Sequence, residues 1–109
     1  LIEYNYLSCD AVFLRKDIAE KHPFNTIREL SGTEDYELWL RLASRYPLYC
    51  DNEVTSAMIQ HDSRSVVTTN KEKLIKRIEI LESSLEKDGA FIEKFGKKMN
   101  IFRANTRLY

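Results

Sequence analysis

Ser31 to Tyr46 reads S-G-T-E-D-Y-E-L-W-L-R-L-A-S-R-Y, and the fold turns on how this stretch is read. Two adjacent carboxylates open it, and an amphipathic pattern follows. Asp35, Leu38, Trp39, Leu42 and Tyr46 keep the i, i+3/i+4, i+7 spacing of one helical face. The spacing predicts a helix over 34–46, stopped by Pro47, with an apolar stripe turned inward and Asp35 at its N-terminal end. A carboxylate heading such a stripe points into a core or a cleft, where its pKa can shift and proton chemistry becomes available. Glu37 is expected on the solvent side, paired with Arg41 one turn on. Local chemistry also offers a plainer role for the acids, since the helix dipole favours them in a first turn. Ser31 with Glu34 fits the S-x-x-E capping box, and Thr33 competes as the N-cap.

Three further elements surround this helix in order. Asn5 to Asp17 reads N-Y-L-S-C-D-A-V-F-L-R-K-D, Pro23-Phe24-Asn25 forms a turn, and His61-Asp62-Ser63-Arg64-Ser65 closes an extended stretch. Together with E-D-Y-E-L-W-L-R-L-A they resemble the family 2, inverting, GT-A-fold glycosyltransferases, with Glu34-Asp35 in the place of that family's E-D motif. The resemblance covers residues 5 to 66 and fades after about Asn70.

It implies an α+β chain: a helix-rich, acceptor-side C-terminal piece of an α/β GT-A fold, with a few short strands. Residues 1–69 would belong to the catalytic domain and 70–109 to a helical extension. It implies a sugar moved from a nucleotide-diphosphate donor to an acceptor hydroxyl on a glycan or lipid-linked acceptor, in bacterial polysaccharide synthesis. Asp35 would be the base, and Glu34 would orient the acceptor or cap the helix. Trp39, Arg41 and Arg64 become candidates for substrate contacts. A divalent metal, Mg²⁺ or Mn²⁺, would assist the leaving group in the complete enzyme, with His61 a candidate contributor. The family's metal-binding D-x-D triplet does not occur in these 109 residues, and three glycines are too few for a phosphate-cradling loop. The opening on Leu1 rather than Met, directly in strand-like sequence, fits a piece of a longer protein that would be inactive alone and bind no donor tightly.

Length allows one modest core. Lys+Arg and Asp+Glu balance at 17 each, so no overall field draws in nucleic acid. The balance hides an asymmetry: residues 1–70 hold 11 acids against 7 bases, and 71–109 hold 6 against 10. Cys9 and Cys50 lack metal-ligand spacing and framework density, so both are expected as buried thiols in a reducing cytosol. No apolar run reaches 18 residues and no signal peptide is present. A cytoplasmic place, at the inner face of a membrane, is the corresponding expectation.

Tyr4 to Leu14 alternates, with Leu7, Cys9, Ala11 and Phe13 on one side, and predicts a strand. Its open edge, or the apolar stripe of a helix over Glu72–Glu86, would favour a homodimer. Arg15 to Lys21 predicts a short helix ended by His22-Pro23. Residues 48–61 read as extended, with a strand over Val54–His61 that returns His61 toward Asp35. Thr69-x-x-Glu72 is a capping box before a helix carrying Leu74, Ile78, Leu81 and Leu85, which Asp88-Gly89 stops. A last helix from Ala90 to about Phe102 lines up Phe91, Phe95, Met99 and Phe102. Its lysines and arginines suit either an ordinary amphipathic helix or peripheral membrane contact through residues 90–109. The rival to catalysis is a helical binding or assembly module, or a membrane-surface adaptor, in which the E-D pair is only a cap.

Overall fold

The computed structural model describes residues 1–57, 59, 61 and 70–107. Five helices follow one another: α1 (Lys16–Lys21), α2 (Glu34–Ala43), α3 (Lys71–Glu86), α4 (Gly89–Phe95) and α5 (Met99–Arg107). Short 3-10 turns lie at Cys9–Ala11, Arg28–Leu30 and Gly96–Lys98.

Among the described residues there is no strand, so the α+β expectation is overturned in favour of a small helical domain. Alternation alone does not make a strand; a ladder partner is needed. Tyr4–Leu14 finds none. It breaks at the Cys9–Ala11 turn, where Ala11 N–H bonds Ser8 O at 3.1 Å and the Ser8 hydroxyl binds the Asp10 carboxylate. The expected inner face dissolves with it, since Leu7 is half-buried while Cys9 and Phe13 are exposed. Cys9 and Cys50 are unbridged, as expected, but exposed rather than buried. Nor does the described part of 48–61 form a strand.

The helices form for reasons visible in their ends. α1 closes where His22 N–H returns to Ile18 O at 3.0 Å, one residue before Pro23. α2 carries Glu34, Asp35 and Glu37 in its first turn, against the positive end of the dipole. It ends three residues before the predicted Tyr46, in a turn where Arg45 and Tyr46 N–H both bond Leu42 O. Asn70 caps α3 by accepting from Lys73 N–H at 2.9 Å. The expected cap, Thr69, lies outside the described residues. Lys87 closes α3, and Asp88 caps α4 by accepting from Phe91 N–H at 3.1 Å, so Gly89 is the first residue of α4 rather than a stop. The single last helix is in fact α4 and α5, joined by the Gly96–Lys98 turn.

α2 runs through the middle. On one side Tyr36 and Leu40 join Leu30, Leu81, Leu85, Phe91, Met99 and Phe102 in the main core. On the other, Leu38, Trp39 and Leu42 pack against Leu7, Val12, Ile18 and Tyr46. A helix apolar nearly all round must be covered on both faces. Tyr36 ties the chain's start to this core: its hydroxyl donates to Leu1 O at 2.8 Å, and burial pushes its pKa up to about 12. Phe91, Met99 and Phe102 of the C-terminal helices are thus spent inside the domain. The core draws on residues from both sides of position 70. Among the described residues, no helix is long and apolar enough to cross a membrane.

Candidate functional site

The head of α2 is built by the loop before it. Asn25 Oδ1 accepts from Ile27 N–H at 3.0 Å, a local turn that leads into Arg28–Leu30, where Leu30 plugs the core. Gly32 then takes φ +94°, a left-handed conformation open to glycine. The Arg77 guanidinium of α3 lies over it, with Nη1 3.2 Å from where a Cβ would stand. Position 32 therefore needs glycine for its conformation, and any Cβ there would also push the Arg77 guanidinium aside by a few tenths of an ångström.

Glu34 reaches back so that its carboxylate accepts the Gly32 N–H. The expected Ser31–Glu34 capping box is not formed: Thr33 is the residue before the helix, Glu34 is its first residue, and the Glu34 carboxylate instead ties down the Gly32 turn. Thr33, the residue before α2, makes no side-chain cap, and its hydroxyl donates to Leu30 O at 3.1 Å instead. Glu34 also lines a hollow of about 210 Å³ with Asn25, Thr26, Ile27, Arg28 and Ser31.

Asp35 is half-buried, and its Oδ1 accepts from Tyr36 N–H at 2.7 Å. Burial pushes its carboxyl above the usual range and the neighbouring Glu34 charge adds to this, while the Tyr36 N–H works against them. It heads the stripe Leu38–Trp39–Leu42, as the spacing predicts. A larger hollow of about 500 Å³ lies at the other end of α2, between residues 1–6, Tyr46–Leu48 and Lys94–Lys98. It includes neither carboxylate.

One turn into α2, Glu37 is 1% exposed, so the expected solvent-side pair is instead inside the protein. Arg41 Nε donates to both its oxygens, at 2.9 and 3.0 Å, and the Ser84 hydroxyl donates to Oε1 at 2.8 Å. Asn25 Nδ2 donates to Ser84 Oγ at 3.3 Å, and Arg41 Nη2 donates to Pro23 O at 2.8 Å. The loop 23–25, α2 and α3 are therefore locked together by one buried charge and its partners. Arg41 is committed to this lock. The signal was present in the sequence: with positions 36, 38, 39, 40, 42 and 43 all apolar, little of α2 is left to face water.

Trp39 is 5% exposed and packs edge-on against Phe24, ring centres 6.3 Å apart, with no partner for its indole N–H among the described residues. It is a core residue, with no open ring face for a sugar. His61 is exposed, and the described part of 54–61 holds no strand that would carry it back to Asp35. Arg64, with the rest of the H-D-S-R-S element after His61, lies outside the described residues. Among the described residues no three of His, Cys, Asp and Glu come together as metal ligands, and Glu34 is already bonded to Gly32. These residues do not fit a divalent metal site of their own.

Beyond the other end of α2, His22 Nε2 lies 3.0 Å from Tyr46 Oη, and the rings meet edge-on. Burial holds His22 below the usual histidine range, helped by Arg45, Arg41 and Lys21. Arg45 Nη2 donates to Asp88 Oδ1 at 2.9 Å, and Lys94 Nζ donates to Ala43 O at 2.7 Å. Both ends of α2 are thus fixed to other elements. Compared with known proteins, the chain matches no family model, no curated protein and no solved structure.

Proposed function

We propose that this chain is the acceptor-side part of an inverting glycosyltransferase, with Asp35 as the base. The observation that carries the reading is Asp35 itself: a half-buried carboxylate, raised by burial, at the head of a helix tied to α3 through Glu37 and Ser84 in its first turn and to α4 through Lys94 at its last residue. A raised carboxylate holds a proton better than a solvated one, and general-base catalysis needs that within about 3 Å of the reacting hydroxyl. Asp35 takes the acceptor hydroxyl's proton as the oxygen attacks the anomeric carbon. The C–O bond to the nucleoside diphosphate breaks on the opposite side of that carbon. Glu34, bound to Gly32, holds the turn that presents Asp35 rather than touching the acceptor. The resemblance supplies the substrate classes: a nucleotide sugar and a glycan or lipid-linked hydroxyl, at the inner face of a bacterial membrane. On this reading the donor and any divalent metal are held by residues outside these 109, and no step here passes through the metal.

A second reading is favoured by a different observation. α2 to α5, with Ile2 and Leu30, close one core, as a helical binding or assembly module would. An assay of the natural full-length protein separates the two. Radiolabelled nucleotide sugars are offered with membrane lipids and glycans as acceptors. Labelled product, with inverted anomeric configuration by NMR, supports the transferase. Absence of transfer across the common nucleotide sugars favours the module.

A further inference from the structure

α1 lies against the Leu38–Trp39–Leu42 side of α2 as a strap with two fastenings. None of its six residues is buried. From Phe13 to Pro23 every residue is exposed except Ile18 and His22, which are half-buried. Ile18 packs on the cluster of Leu38, Trp39 and Leu42. His22 Nε2 stands 3.0 Å from Tyr46 Oη, with the two rings edge-on. The main-chain bonds at the ends of α1 stay within the strap: Ile18 and Ala19 N–H reach Arg15 O, and His22 N–H reaches Ile18 O. Just beyond, the Arg41 guanidinium holds Pro23 O and fixes the chain there.

The second fastening sits among positive charge. Arg45 and Arg41 of α2 and the adjacent Lys21 all act on His22, opposed by Asp88, which the Arg45 guanidinium already holds at 2.9 Å. The other acids nearby are spent as well: Glu37 on Arg41, Asp17 on Arg15 and Glu20 on Lys16. A neutral imidazole with its proton on Nδ1 accepts the Tyr46 hydroxyl through Nε2. An imidazolium has two donors and nothing to accept with, and it adds a fourth cation to three. Lifting the strap also lets water reach the Trp39 N–H, which is buried without a partner in the cluster that Ile18 covers. We propose that protonation of His22 undoes its clasp on Tyr46 and lifts α1 off this side of α2, with the hinge at Pro23. Burial, with Arg45, Arg41 and Lys21, holds the His22 pKa low while the strap is closed, and the open form restores the ordinary value. The closed form therefore loses ground as pH falls from about 6.5 to the lowered value, about tenfold in the closed-to-open ratio for each unit between them. Below the lowered value nothing more is lost. The face uncovered is the one Asp35 heads, but the device holds whether or not Asp35 is a base.

Trp39 is the chain's one tryptophan and reads the strap directly. Acrylamide quenching of its fluorescence is followed from about pH 7.5 to about pH 5, a range that spans the ordinary histidine value, with NMR titration of the His22 ring alongside. The expected result is a quenching constant that rises about threefold or more on acidification, in step with the His22 titration and half-complete below about pH 6.5. Helical circular dichroism stays within the loss that α1 alone would cause. His22→Gln, which puts an uncharged amide near the place of Nε2, shows no such rise. Tyr46→Phe keeps the histidine and removes the clasp, so Trp39 is quenched more strongly than in the parent at neutral pH and His22 titrates closer to its ordinary value. A quenching constant that stays flat in the parent overturns the inference, as does an equal rise in His22→Gln, which would assign the response to another group. A rise that comes with loss of helix throughout the chain overturns it too, because the whole fold would then be opening. So does a Tyr46→Phe variant with Trp39 as well shielded and His22 titrating as low as in the parent.

Discussion

Arg41 Nε donates to both carboxylate oxygens of Glu37, at 2.9 and 3.0 Å, in a place where Glu37 is all but sealed from water. At a helix surface an i, i+4 pair of this kind contributes a few tenths of a kcal/mol. Here the carboxylate has no solvent to fall back on. The pair, with Ser84 and the Pro23 carbonyl, holds the loop that leads to the head of α2.

Arg41→Met should therefore cost about 3–5 kcal/mol, because it leaves a buried charge without its counterpart. Arg41→Met with Glu37→Leu should recover most of that loss, since two apolar side chains leave no charge to solvate. Chemical denaturation of the two variants tests this. Equal losses in the single and double variants would mean that packing, not charge, sets the cost.

Asp35 should behave in the opposite way. Its carboxyl is raised in the folded state, chiefly by burial, so the folded protein binds its proton more tightly than the unfolded chain does. Ionisation then costs stability as pH rises from the ordinary carboxylate value, about 4, through the folded one, and the cost stays in place above it. Asp35→Asn should raise Tm at pH 7, and the gain should vanish below about pH 4. A variant less stable than the parent at pH 7 would show that Asp35 is a structural residue.

Asp88 has the reverse sign. Burial pushes its carboxyl up, but the Arg45 guanidinium and the Phe91 and Ala90 N–H groups outweigh it and hold it low. Its contribution is present above the ordinary aspartate range and is lost as pH falls through the lowered value. Asp88→Ala should cost about 0.5–2 kcal/mol at pH 7, the range for a lost N-cap. The gap from the parent should close in acid, as thermal melts from pH 7 to pH 2 would record.

The helices were legible because periodicity carries them. The α1 stretch, the start of α2, the Leu81–Leu85 end of the α3 stripe and the face of Phe91, Met99 and Phe102 all follow from spacing. The strands were misread because an alternating pattern says which side chains share a face, not whether a second strand is there to pair. Tyr4–Leu14 has the pattern without the partner. Glu37 was misplaced because the stripe was drawn along 35, 38, 39 and 42 alone. Tyr36 and Leu40 make a second stripe, and the two together enclose it. The positions of Gly32 under Arg77 and of Ser84 at Glu37 depend on how α3 crosses α2, which no local pattern encodes.

Turnover by the natural full-length protein carrying Asp35→Asn tests the proposed reaction most directly. The substitution keeps the size and the hydrogen bond to Tyr36 N–H and removes the base. If Asp35 accepts the acceptor hydroxyl's proton, kcat for sugar transfer falls by about 10²-fold or more, the scale of a lost general base, while donor affinity is unchanged. Transfer at the parent rate in that variant would contradict the account.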